Sequence, residues 1–90
     1  MNFEWDDDKA ITNWHKHGIE FMEAIHIFND PYRSESYDGR ESYGEDRFIT
    51  IGYCEGVELT IVYTLRKENI RIISARKAEP HERRIYWENR

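Results

Sequence analysis

Ninety residues, 39% apolar and 14% aromatic, are enough for one small folded domain spanning 1–90 and speak against a disordered chain. No stretch approaches the roughly 18 apolar residues of a membrane helix, MNFEWDDDK is unlike a secretory signal, and the single Cys54 allows neither an intrachain disulfide nor a cysteine zinc site. The expected setting is therefore the cytoplasm, without membrane contact. The formal charge of −5 argues against indiscriminate nucleic-acid binding, but residues 66–90 alone carry +4, and a local patch can still hold a polyanion.

In chain order, NFEW (Asn2–Trp5) reads as a short edge strand. DDDKAITNWHKHG follows as a helix, with Asp6 as N-cap, Asp7 and Asp8 at the positive end of the dipole, and Gly18 at the left-handed stop. Ala10, Trp14 and His17 share one face of it at i, i+4, i+7 spacing. A second helix, IEFMEAIHIFNDP, carries Phe21, Ala24, Ile25 and Phe28 at i, i+3, i+4, i+7 and ends before Pro31. Glu20, ahead of it, is a poor cap.

A weak strand is predicted at Arg33–Tyr37, with a loop built on Asp38-Gly39. Three stronger strands follow: RFITIGYC, VELTIVYTLR and IRIISAR, joined by turns at Glu55-Gly56 and Lys67-Glu68-Asn69, and they must form an antiparallel meander. EPHERRIYWENR then suits a helix with Pro80 near its first position. The order is β-α-α-β-β-β-β-α, an α+β fold with helices mainly on one side of a small antiparallel sheet and the other side open.

No metal or cofactor site is expected. His15 and His17 point to opposite sides of their helix, and HExxH, cysteine pairs and phosphate-cradling glycine loops are absent. The five glycines, at 18, 39, 44, 52 and 56, read as turn or bulge positions. His17, beside Lys16 in the last turn, suits a dipole partner as well as a reactive group.

The cations Arg47, Arg66, Arg71, Arg76, Lys77, Arg83 and Arg84 remain. Strict alternation along the last strand puts Arg71, Ile73, Ala75 and Lys77 on one side and Ile70, Ile72, Ser74 and Arg76 on the other. Such a set has the tools for metal-free RNA scission: a base for the 2′-hydroxyl, guanidinium groups for phosphorane charge, and an acid for the 5′-oxygen. Pairing of Arg83 and Arg84 with Glu79, Glu82 or Glu88 along the helix is the competing explanation.

Three blocks carry a likeness to a known family: FEWD with Lys9, Asn13 and KHGIEFMEA; GEDRFITIG; and IRIISARKA followed by Glu82-Arg83 and Tyr86. In these the chain resembles the BrnT family of type II toxin–antitoxin ribonucleases. The resemblance implies a RelE-like fold and a metal-independent endoribonuclease that inhibits translation by cutting RNA, with or without the ribosome. It also implies a ribbon-helix-helix antitoxin of the BrnA type, through which alone the complex binds operator DNA. Its matching positions give Arg76, Arg47, His17 and Glu45 as catalytic candidates and Arg71, Lys77, Arg83 and Lys16 as substrate-binding ones. The alternative is a catalytically inactive toxin-like module that only binds its antitoxin.

Overall fold

The computed structural model describes residues 1–39 and 44–88. The elements are β1 (Asn2–Glu4), α1 (Asp7–His17), α2 (Phe21–Ala24) with a 3₁₀ continuation (Ile25–Asn29), β2 (Ser34–Asp38), β3 (Arg47–Cys54), β4 (Val57–Arg66), β5 (Asn69–Lys77) and α3 (Pro80–Glu88). This is the predicted α+β order. The part of the expected loop at 40–43 and the end of the last helix, 89–90, lie outside the described residues.

The strands form one sheet, β1-β5-β4-β3-β2. β3, β4 and β5 make the expected meander, and β2 adds antiparallel to β3. β1 differs from a purely antiparallel expectation. It pairs parallel with β5 through Phe3 and Ile70, because the intervening chain crosses the sheet before returning.

Local chemistry sets the ends of α1. The Asp6 carboxylate accepts from the N–H groups of Asp8 and Lys9 at 2.8 and 3.2 Å, and Gly18 stops the helix at φ 69°. Its buried residue is Asn13, whereas Trp14 is half exposed, so the inward side lies toward Asn13 and not along the Ala10–Trp14–His17 stripe. The Asn13 amide donates to the carbonyls of Ala75 (2.8 Å) and Ile19 (3.0 Å), and its oxygen accepts from the Ala75 N–H at 3.1 Å. β1 ends opposite Arg71, so the edge of β5 beyond it has no strand partner, and Asn13 supplies the missing pairing.

Glu20 makes no side-chain cap bond, and α2 lasts one turn before tightening to 3₁₀. Threefold periodicity then buries Phe21, Ala24 and Ile27, with Phe28, in place of the expected Ile25. These residues pack on the inner face of the sheet against Leu59, Ile61, Tyr63, Ile70, Ile72 and Ala75. Gly52 is not a turn residue. A Cβ there would stand 2.7 Å from the Ile27 Cβ, so the glycine is what lets the 3₁₀ segment lie directly on β3.

α3 packs on the opposite, outer face, where Tyr86 meets Ile51 and Ala78. The helices are thus not all on one side. The outer face is capped at one end and open at the other.

Candidate functional site

The open part of the outer face is built by strand register. Arg47 lies opposite Thr64, and Thr64 opposite Arg71, so the two arginines flank one threonine across three strands, about 10 Å apart at their Cα atoms. Asp38 and Glu4 close this row at its two ends. The next rows along the sheet are Ser36–Ile49–Val62–Ser74 and Ser34–Ile51–Thr60–Arg76.

One irregularity decides the composition of this face. Val62 pairs with Ser74 and Tyr63 with Ile72, which leaves Ile73 without a partner as a β-bulge. The extra residue reverses the alternation, and burial follows it: Ile70, Ile72 and Ala75 are buried on the inner face. The expected split is therefore corrected. Arg71, Ser74 and Arg76 share the outer face with Arg47, while Lys77 turns to the inner face opposite Leu59.

Each of these arginines has a carboxylate partner. Arg71 donates to Glu4 at 2.7 Å, and Arg47 lies 3.3 Å from Glu45. Arg76 holds Glu82 in a bidentate pair at 2.7 and 2.9 Å. Glu82 is buried, and its carboxylate also accepts from the Thr60 hydroxyl and the Glu79 N–H. Glu79 precedes α3, and Glu82 reaches back across the first turn to its N–H, as the acidic member of a capping box does. Burial raises the Glu82 pKa, but Arg76, the Glu79 N–H and Thr60 outweigh it, and the carboxyl sits below its ordinary range. Glu4 is likewise lowered, first by hydrogen bonding from Asn69 and then from Arg71.

His17 enters from the C-terminal end of α1. With Lys16, Lys9 and Asn13 it lines a groove whose other wall is Ile73 and Ser74 of the bulged edge. Its pKa is lowered by desolvation, and then by the positive charges of Lys16 and Arg76. The imidazole is therefore neutral at pH 7 and able to accept a proton.

Of the residues singled out from sequence, His17, Lys16 and Arg76 gather at the bulged edge of β5. Arg71, Arg47 and Glu45 gather along the Thr64 row. Lys77 faces away, and Arg83 sits on α3, donating to the Ala78 carbonyl at 2.9 Å rather than to an acidic neighbour. Arg84 makes no ion pair among the described residues. Sequence reasoning missed Glu82, Thr60 and Asn13, the groups that orient Arg76 and hold the β5 edge. A glutamate at the third position of a helix that opens with Pro80 was the available signal for the first.

Glu79, His81 and Glu82 come within 4.8 Å of one another, but Glu82's carboxylate is already filled by Arg76, Thr60 and the Glu79 N–H. Cys54 is partly buried, and desolvation followed by the charge of Glu55 raises its pKa, which makes it a poor nucleophile. Among the described residues no helix is long and apolar enough to cross a membrane.

A family model described as "Ribonuclease toxin, BrnT, of type II toxin-antitoxin system" matches residues 5–82, a span that takes in the bulged edge, Glu82 and all of the Thr64 row but Glu4. No curated protein matches the chain.

Proposed function

Because the chain belongs to the BrnT family of ribonuclease toxins of type II toxin–antitoxin systems, we propose that its outer sheet face cleaves RNA without a metal ion. His17 takes the proton of a ribose 2′-hydroxyl, and the 2′-oxygen attacks the adjacent phosphorus. The bond from phosphorus to the 5′-oxygen breaks, and the Lys16 ammonium returns a proton to that oxygen. The products are a 2′,3′-cyclic phosphate and a 5′-hydroxyl end. Arg76, oriented by Glu82, stabilises the charge that develops on the phosphorane. Arg71 and Arg47 hold the flanking backbone, and Glu45 orients Arg47. Lys77 and Arg83 lie apart from this set and have no role in it.

The observation that carries this reading is the bulge at Ile73, which brings Arg71 and Arg76 onto the same face as Arg47 beside a desolvated histidine. Metal independence draws support from the carboxylates: Glu4, Glu45 and Glu82 are each bound to an arginine instead of converging on a common point. In the same reading cleavage arrests translation in the cytoplasm, and a ribbon-helix-helix antitoxin neutralises the toxin and carries operator binding. The chain folds and acts as one domain over 1–90.

Purified protein should cut RNA in EDTA, and Arg76→Ala and His17→Ala should each lower the rate at least a hundredfold while remaining folded. Full growth arrest by folded Arg76→Ala would remove the proposed site. The same arginine–carboxylate pairs favour one alternative, a module that binds its antitoxin and cuts nothing. Wild-type protein that binds but neither cleaves RNA nor arrests growth selects it.

A further inference from the structure

The side of α1 away from Lys9 and Lys16 carries a different surface. Ala10, Ile11 and Trp14 project from it at helical spacing, and Phe21 and Met22 face them from α2. With Trp5 they form an apolar groove of about 310 Å³. Ile11, Trp14 and Met22 are 57, 49 and 62% exposed, although Trp5 and Phe21 beneath them are in edge-to-face contact and tied to the core. Three large apolar side chains clustered in water around one groove are not needed for this fold, and such a patch marks a binding surface.

We infer that this groove anchors the antitoxin, and that it takes an amphipathic helix with apolar anchors flanked by lysine or arginine. Two features select that occupant. Both walls are helical turns and present no extended sheet edge, so an added strand would find no ladder to join, and a partner segment must bring its own satisfied backbone. The charge of the rim is negative: Glu20 is the one charged residue among those lining the groove, and Asp7 stands one turn ahead of Ile11 on the same helix face. Residues 1–46 as a whole carry four Lys or Arg against twelve Asp or Glu. An acidic rim repels RNA and also repels a second copy of itself, but it attracts a basic flank.

The inference rests on the family's toxin–antitoxin pairing and not on RNA cleavage. Lys9, Asn13 and Lys16 lie on the far side of α1, so the anchor and the groove beside the arginine face are separate surfaces. Binding and killing should then separate by mutation.

The test uses the full chain expressed with its natural neighbour, the product of the adjoining reading frame, and a photo-crosslinking residue at position 11, 22 or 36. Positions 11 and 22 should crosslink to that product and position 36, on the outer face, should not. Ile11→Asp and Met22→Asp change exposed side chains and should keep the thermal unfolding midpoint. They should weaken the complex at least tenfold and leave toxicity intact, whereas Arg76→Ala should bind normally. Crosslinking only at 36, or unchanged binding by both aspartate variants, overturns the proposal. So does a wild-type dimer that Ile11→Asp converts to monomer with partner affinity unchanged, since the occupant is then a second copy. Loss of cleavage in every protein, with the crosslinks as expected, overturns the catalytic reading alone.

Discussion

Replacing Asn13 by alanine tests how the edge of β5 is held. The change removes three hydrogen bonds, two donated by the amide to Ala75 and Ile19 carbonyls and one accepted from the Ala75 N–H. Ala75 is fully buried and Asn13 is 6% exposed, so water cannot readily replace them. Each bond contributes about 1 kcal/mol net, and each buried group left without a partner costs about 1–3 kcal/mol. Relaxation at the sheet edge will recover part of this, so the expected loss is about 3 kcal/mol. In a domain of this size that lowers the unfolding midpoint by about 15 °C. Calorimetry and urea titration measure the global effect, and hydrogen exchange of the Ala75 amide reports the local one. Asn13→Asp adds a pH test. Above its pKa the carboxylate can accept from Ala75 but meets two carbonyl oxygens with no proton to offer, so the variant should regain stability relative to wild type on acidification toward pH 4. A loss below 0.5 kcal/mol in Asn13→Ala, with Ala75 exchange unchanged, would refute the edge-pairing argument.

Two further outcomes concern the core and the Arg76 anchor. Gly52→Ala should destabilise by about 2–3 kcal/mol by urea titration, because the new Cβ falls 2.7 Å from the Ile27 Cβ and 3.2 Å from its carbonyl oxygen. Ile27→Ala in the same chain should not rescue it, since the clashing Cβ remains. Glu82→Gln should cost about 2 kcal/mol at pH 7, less than a fully buried pair would lose because the Arg76 side chain is 28% exposed. The Glu82 carboxyl titrates lower in the folded than in the unfolded chain, so its contribution is present above the unfolded value near 4.5 and is lost as pH falls through the folded value. Urea midpoints measured from pH 7 to pH 3 should therefore fall less steeply in Glu82→Gln than in wild type.

Most elements were legible because their signals are local. Asp6 and Gly18 mark the ends of α1 through hydrogen bonding and left-handed geometry that involve only nearby residues. Glu55 and Gly56, both at positive φ, make the β3–β4 turn, and the β-branched runs on either side leave one way to pair them. The candidate arginines were legible as a class, since their residue type and clustering near the C-terminus are visible without coordinates.

Their grouping was not, because it turns on Ile73. Nothing in IRIISARK distinguishes a bulged strand from a regular one, and one extra residue moves every later side chain to the opposite face. The choice is made by packing on both sides at once: Ala75 fits beneath α2 only if Arg76 turns outward to Glu82, while Asn13 holds the Ala75 backbone from the edge. The second helix shows the same limit. Its apolar residues satisfy both a 3.6 and a 3.0 period, and the close approach at Gly52 accompanies the tighter one.

By itself, then, the sequence determined the order and type of the elements, the caps, the meander and the chemical kit of Arg, Lys and His, since these depend on interactions within a few residues. Tertiary structure alone decided which cations share a surface, which carboxylate holds each arginine, and how far the imidazole of His17 is desolvated. Those properties depend on groups as far apart in the chain as Asn13 and Ala75, and contacts over that distance are set by the whole packed core.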